Sequence, residues 1–149
     1  MKSVKFGFKF EKILGLKEKL EDNKKNEMAI ISNSIRDLES EISKMEEMKR
    51  ERYDMLEEIL MSGASITDIK KLSYSIECSD VSIERLQQKL SSLRESFNYK
   101  KTEYLEVMKE RKSFEKLKEK HIDEFKHIIK LKEEKALDQI NTFRIRGTS

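Results

Sequence analysis

Met61-Ser-Gly-Ala-Ser-Ile-Thr-Asp68 is the one interior stretch that reads as a turn, and it decides the fold. Gly63 can take the left-handed conformation that closes a helix C-terminus. Ser65 can cap the next helix with its hydroxyl, while Asp68 favours that helix's first turn. A stop signal followed at once by a start signal predicts a helix–turn–helix hairpin.

Downstream the apolar period is strict. Reading 3-4-3-4 from Ile69 to Lys132 gives nineteen positions. Thirteen are apolar: Ile69, Leu72, Ile76, Ile83, Leu86, Leu90, Leu93, Phe97, Tyr104, Val107, Phe114, Phe125 and Ile128. The others are Ser79, Lys100, Arg111, Lys118, His121 and Lys132. That apolar share is about twice the chain's 36%, so the segment is a coiled-coil seam rather than disorder. Upstream a matching seam runs through Met28, Ile31, Ile35, Leu38, Ile42, Met45, Leu56 and Ile59, interrupted by Lys49 and Arg52. Earlier still, Ile13, Leu16 and Leu20 form a short apolar stretch. Its spacing to Met28 breaks the heptad and predicts a local shift in supercoil there.

The expected fold is all-α: a long antiparallel two-helix coiled-coil hairpin whose second helix is longer than the first. It occupies 1–149 as one domain, with helices over about 8–61 and 66–140, a turn over about 62–65 and a frayed tail over 141–149. Reflection about Gly63 sets residue i roughly opposite 126 − i, and at ~1.5 Å per residue the pair forms a rod on the order of 80 Å long. From His121 to Ile140 the second helix is left without an internal partner, an overhang that calls for an external one.

Composition agrees. The 149 residues are 41% charged and include no proline or tryptophan and only four glycines. Such a chain lacks the apolar mass for a thick interior enclosing a catalytic pocket. Basic runs never exceed two residues, unlike a nucleic-acid-binding arm. No stretch approaches the ~20 apolar residues of a membrane span, and a single cysteine, Cys78, excludes an internal disulfide and fits a reducing cytosol. Charge is partitioned: residues 1–25 and 100–149 each sum to +4, and 26–99 to −5. A hairpin brings the two positive segments together, making one end basic and the turn half acidic, a polarity suited to two different partners.

No residues point to catalysis, a cofactor or a metal. His121 and His127, six apart, do not share a helix face, and Glu124, three from each, makes no more than a weak surface metal contact conceivable, so no metal is expected. Cys78 faces outward beside Glu77 and Asp80, the opposite of the electropositive setting that activates a thiol. Phe8, Phe10, Ile13, Leu14 and Leu16 beside Lys5, Lys9, Lys12 and Lys17 either staple the helix ends together or anchor a protein partner or a membrane surface; Glu11 and Glu18 dilute the charge and favour protein over membrane.

Three stretches resemble the flagellar FliJ family. The opening Phe8-Lys-Phe10-Glu-Lys-Ile13-Leu14-Gly-Leu16-Lys17 is similar to its N-terminal pattern, although Phe6-Gly7-Phe8 offers a rival register. Ser62-Gly63-Ala-Ser65-Ile66 looks like its hairpin corner. Arg111-Lys-Ser-Phe114-Glu115-Lys116-Leu117-Lys-Glu-Lys120 with Glu133-Glu-Lys135-Ala-Leu137-Asp138-Gln139-Ile140 is similar to its C-terminal signature, with Gln139 where an acid is common.

The resemblance implies a non-enzymatic component of the flagellar type III protein export apparatus, serving motility and chemotaxis. It implies an antiparallel coiled coil similar to a rotary ATPase stalk. Such a protein binds the hexameric flagellar export ATPase and promotes its assembly, contacts the cytoplasmic domain of the membrane export gate and escorts export chaperones. Its implied location is cytoplasmic, peripherally associated with the inner membrane at the flagellar base. On this reading the basic end, with Phe8, Lys9, Phe10, Lys12, Ile13, Leu14, Phe114, Lys116, Leu117, Phe125 and Ile129, meets the ATPase ring. Met45, Met48, Tyr53, Ile69 and Tyr74 on the acidic half meet the gate or a chaperone. A stalk of a non-flagellar secretion injectisome and a generic coiled-coil scaffold stand as the alternatives.

Overall fold

The computed structural model describes residues 5–147. Two helices, α1 (Glu11–Ser62) and α2 (Ile66–Gly147), pack against each other in antiparallel sense, and the described residues contain no strand. This is the all-α hairpin with a longer second helix that the periodicity predicts. α1 begins at Glu11, slightly later than the expected start near Phe8, and α2 continues to Gly147, past the Ile140 at which the apolar pattern fades. With no proline and a basic last turn at Arg144 and Arg146, nothing in that segment stops a helix.

The corner is built by hydrogen bonds at both helix ends. Gly63 has φ 76°, a conformation that costs an ordinary L-residue roughly 1–2 kcal/mol. It lets the Ala64 N–H donate to the Ile59 carbonyl at 3.2 Å, the six-to-one bond of a Schellman C-cap. Ser65 Oγ then accepts from the Asp68 N–H at 3.3 Å, and the Ser65 carbonyl accepts from the Ile69 N–H at 3.2 Å, opening α2. At the other end of α1, the Phe10 carbonyl accepts from the Leu14 N–H at 2.9 Å, so Phe10 closes the first helical turn.

The chain divides into two compact units. One is Asn23–Tyr104; the other joins the N-terminal segment through Asp22 to α2 from Leu105 onward. In Asn23–Tyr104 the core is Leu38, Ile42, Ile83 and Leu90, with Ile35, Met45, Leu86 and Leu93 packed against it. No side chain there or elsewhere among the described residues is fully sealed from solvent, as one stripe per helix dictates. Polar seam positions are matched rather than empty. Ser79 is buried; its Oγ accepts from Arg52 Nη1 at 2.6 Å and donates to the Ser75 carbonyl at 3.0 Å. Lys49 pairs with Asp80; outside the seam, the more exposed Arg94 Nη2 lies 3.0 Å from Glu39.

In the other unit the short apolar stretch is not the inward face. Ile13, Leu16 and Leu20 are 39%, 64% and 39% exposed, while Leu14 is 4% exposed. The inward row runs Phe10, Leu14, Lys17, Glu21, and Lys24 continues the same spacing to Met28. The apolar spacing from Leu20 to Met28 therefore does not trace the inward row of α1. The 3-4 spacing carries on through charged residues, each given a partner on α2, and a reading that counts only apolar residues misses it.

Partners also lie a few residues beyond the predicted reflection. Lys17 meets Glu110, Glu21 meets Arg111 and Glu11 meets Lys118. The wide corner and the long reach of Lys and Arg both add to the offset. The expected overhang shortens for a different reason. His121 is packed edge-on to Phe8 with ring centres 5.6 Å apart, and Phe125 lies 5.5 Å from Phe6. The segment ahead of α1 thus covers α2 as far as Phe125. From Lys130 on, every described residue is exposed.

Candidate functional site

The basic end gathers six aromatic rings. Phe8 meets Phe10 edge-on at 5.8 Å, Phe10 meets Phe114 at 5.9 Å, and His121 and Phe125 complete the group through Phe8 and Phe6. Offset and edge contacts of this kind contribute about 0.5–1.5 kcal/mol per pair beyond area burial. Phe8 and Leu14 are consumed by this packing, and Phe10, Phe114, Leu117, Phe125 and Ile129 are half-buried. The residues that present themselves to solvent are Lys9, Lys12, Ile13 and Lys116, joined by Leu16 and Leu20. Lys9 Nζ sits over the Phe10 ring, 5.7 Å from its centre. The result is a basic surface with an exposed apolar stripe on α1, supported from behind by an aromatic cluster. That division between outward and inward residues is not legible in the opening motif, where all five apolar groups look equivalent.

Just below it, Arg111 is the best-connected charge. It pairs bidentately with Glu21, through Nε and through Nη2 at 3.3 Å, and reaches Glu115 at 2.8 Å. Glu21 and then Glu115 raise its pKa further above the ordinary guanidinium value. Side-chain exposure is 19% for Arg111 and 11% for Glu21, the least exposed ion pair on the surface described.

A second charged cluster lies within Asn23–Tyr104. Lys24 Nζ is 2.6 Å from Glu103, and Lys100 Nζ is 3.0 Å from Glu27 and 3.7 Å from Glu103. Glu27 Oε2 is shielded from solvent and pairs ionically with Lys100, and with Lys24 at 3.7 Å, rather than accepting an aligned hydrogen bond. Lys100 holds the Glu27 carboxyl below the ordinary glutamate value, and Lys24 does so for Glu103; Glu27 in turn raises Lys100. Depressed carboxylates contribute stability above their unfolded pKa and lose it as pH falls through the folded one. The raised ammonium does the reverse at the alkaline end. Thermal stability read by circular dichroism is therefore expected to be flat from about pH 5 to about pH 9 and to fall outside that window. Glu27→Gln with Glu103→Gln should blunt the acid limb. An acid limb identical in that variant and the parent would dissociate it from this cluster.

On the turn half, Met48, Tyr53 and Tyr74 are about half-exposed or more, whereas Met45 and Ile69 are half-buried in the seam. Tyr74 has its pKa raised by a hydrogen bond with the Cys78 thiol, and Cys78 is exposed. Beside the corner an open groove of about 400 Å³ is lined by Met55, Ile59, Ala64, Asp68, Lys71, Leu72 and Ser75. Sequence reading missed it, because a groove flanking the seam has no periodicity of its own. Among the described residues no group of three His, Cys, Asp or Glu side chains could hold a metal, and no helix is long and apolar enough to cross a membrane.

Comparison with known proteins agrees with the helical pattern and the three quoted stretches. The family model described as "Flagellar FliJ protein" matches residues 6–148. No curated protein and no solved structure matches the chain. With a match over nearly the whole length of a two-helix hairpin, the chain belongs to the flagellar FliJ family, a structural component related to flagellar protein export.

Proposed function

We propose that the protein acts in the cytoplasm as a stalk for the flagellar export ATPase. Its basic end engages the hexameric ring and promotes ring assembly, and its turn half serves the export gate and the escort of chaperones at the inner face of the membrane. The observation that carries this reading is the surface at the basic end. Lys9, Lys12 and Lys116 are exposed beside the Ile13–Leu16–Leu20 stripe, in a member of a flagellar family. Exposed lysines steer an encounter with acidic loops, and an apolar stripe holds the complex once water is excluded. A coiled coil that contacts ring subunits unequally biases their conformations through differential binding, with no chemistry of its own.

The test is the ATP hydrolysis rate of the cognate export ATPase, titrated with this protein at fixed enzyme. A saturable rise near one chain per six subunits is expected. Reversing Lys9, Lys12 and Lys116 together to glutamate should weaken the half-saturation point at least ten-fold at low salt while the helical circular-dichroism signal stays the same. A flat titration with a competent ATPase would reduce the role to escort or scaffold. An unchanged titration with the triple variant would move the ring contact elsewhere on the chain.

A further inference from the structure

We propose that the segment Phe6–Asp22 is a releasable strap: it separates from α2 as a cooperative unit of its own while Asn23–Tyr104 stays paired. The inference rests on the packing alone and does not depend on which partner the basic end meets.

Three independent features weaken the strap's hold. First, its apolar residues are turned the wrong way for tight docking. Of Ile13, Leu14, Leu16 and Leu20 only Leu14 is buried, and the rest of the stripe faces solvent. Second, the seam positions that follow are charged. Lys17 and Glu21 meet Glu110 and Arg111, and Glu11 meets Lys118 at 2.9 Å. The Lys17–Glu110 and Glu11–Lys118 side chains are 29–57% exposed, and ion pairs this close to water contribute far less than the apolar contacts of Leu38, Ile42, Ile83 and Leu90; Glu21–Arg111 is the one better-shielded pair among the three. Third, Gly15 sits within the first helical turns, where glycine costs helix stability. No packing requirement explains it: a Cβ built there meets nothing within 4 Å, and its φ is not in the left-handed region. Local stability in a protein follows local apolar contact, so a segment held mainly by Leu14 and a set of ring contacts opens before one held by a continuous core.

Release uncovers α2. The rings of Phe114, His121 and Phe125 lose the Phe10, Phe8 and Phe6 rings packed against them, giving an aromatic stripe that exists only in the open state. The strap is therefore a two-state element that a partner can bias by taking either surface.

Hydrogen exchange of the full chain, followed by mass spectrometry, tests this. Amides of residues 11–22 should exchange at least ten-fold faster than those around Leu38–Ile42 and Ile83–Leu90. Gly15→Ala should slow the strap alone by about two- to five-fold, the amount a helical Gly-to-Ala change supplies. Leu14→Ala should speed the strap at least ten-fold and leave the Leu38–Leu90 core unchanged. Equal protection throughout the parent chain, or a shift of strap and core together in either variant, would show one cooperative hairpin and overturn the proposal.

Discussion

Leu90→Ala is expected to destabilise the chain by about 2–3 kcal/mol and to lower the thermal midpoint by about 5–10 °C. Leu90 is 8% exposed and belongs to the Leu38–Ile42–Ile83–Leu90 cluster, with Leu86 and Leu93 packed beside it on α2. Removing its side chain deletes the transfer free energy of the lost methyl groups and leaves a gap that α1 cannot easily fill. The cost sits toward the low end of values for fully sealed cores, because in a two-helix seam water reaches the gap from either side. Leu16→Ala is the matched control. At 64% exposed, its side chain contributes little to folding, and the change is expected to stay within about 0.5 kcal/mol. Thermal melts of the two variants by circular dichroism separate the cases. Equal losses would mean that the Leu16 face is buried in solution and that the seam is assigned to the wrong side of α1.

The second large effect is electrostatic. Arg111→Glu places a carboxylate against both Glu21 and Glu115 in a position only 19% exposed, and should cost roughly 2–3 kcal/mol. That figure lies between the values for exposed pairs and for sealed ones, as the partial exposure requires. The double reversal Glu21→Arg with Arg111→Glu should recover most of the loss, because it restores opposite signs across the seam. Arg94→Glu opposite Glu39 provides the comparison: those side chains are 59% and 46% exposed, and its effect should be under about 1 kcal/mol. If the Arg94 and Arg111 reversals destabilised equally, burial would not be what gives the Glu21–Arg111 pair its weight.

Both effects fall on seam positions, and the sequence exposes nearly all of those on α2. From Ile69 to Phe125 every position of the 3-4-3-4 reading is buried or half-buried, the polar ones included. Such regularity is readable because a coiled coil writes two seam contacts into each heptad. The corner was equally legible, since Gly63 and Ser65 act through backbone groups within a few residues of themselves. The basic surface is a mixed case. Its lysines and apolar groups are evident in the opening residues, but their roles are not, because Ile13 and Leu14 are adjacent, equally apolar and opposite in burial.

Sequence by itself determined the helical class, the hairpin, the longer second helix and the resemblance to a flagellar family, because each depends on periodicity or on local backbone chemistry. Tertiary structure decided which face of the first turns of α1 points inward, that Lys17 and Glu21 carry the heptad where apolar residues do not, and that Phe6 and Phe8 shield α2 to Phe125. Those choices rest on ion pairs and ring contacts between residues some ninety or more positions apart. No local pattern records such pairs, because their energy exists only once two distant helices share a surface.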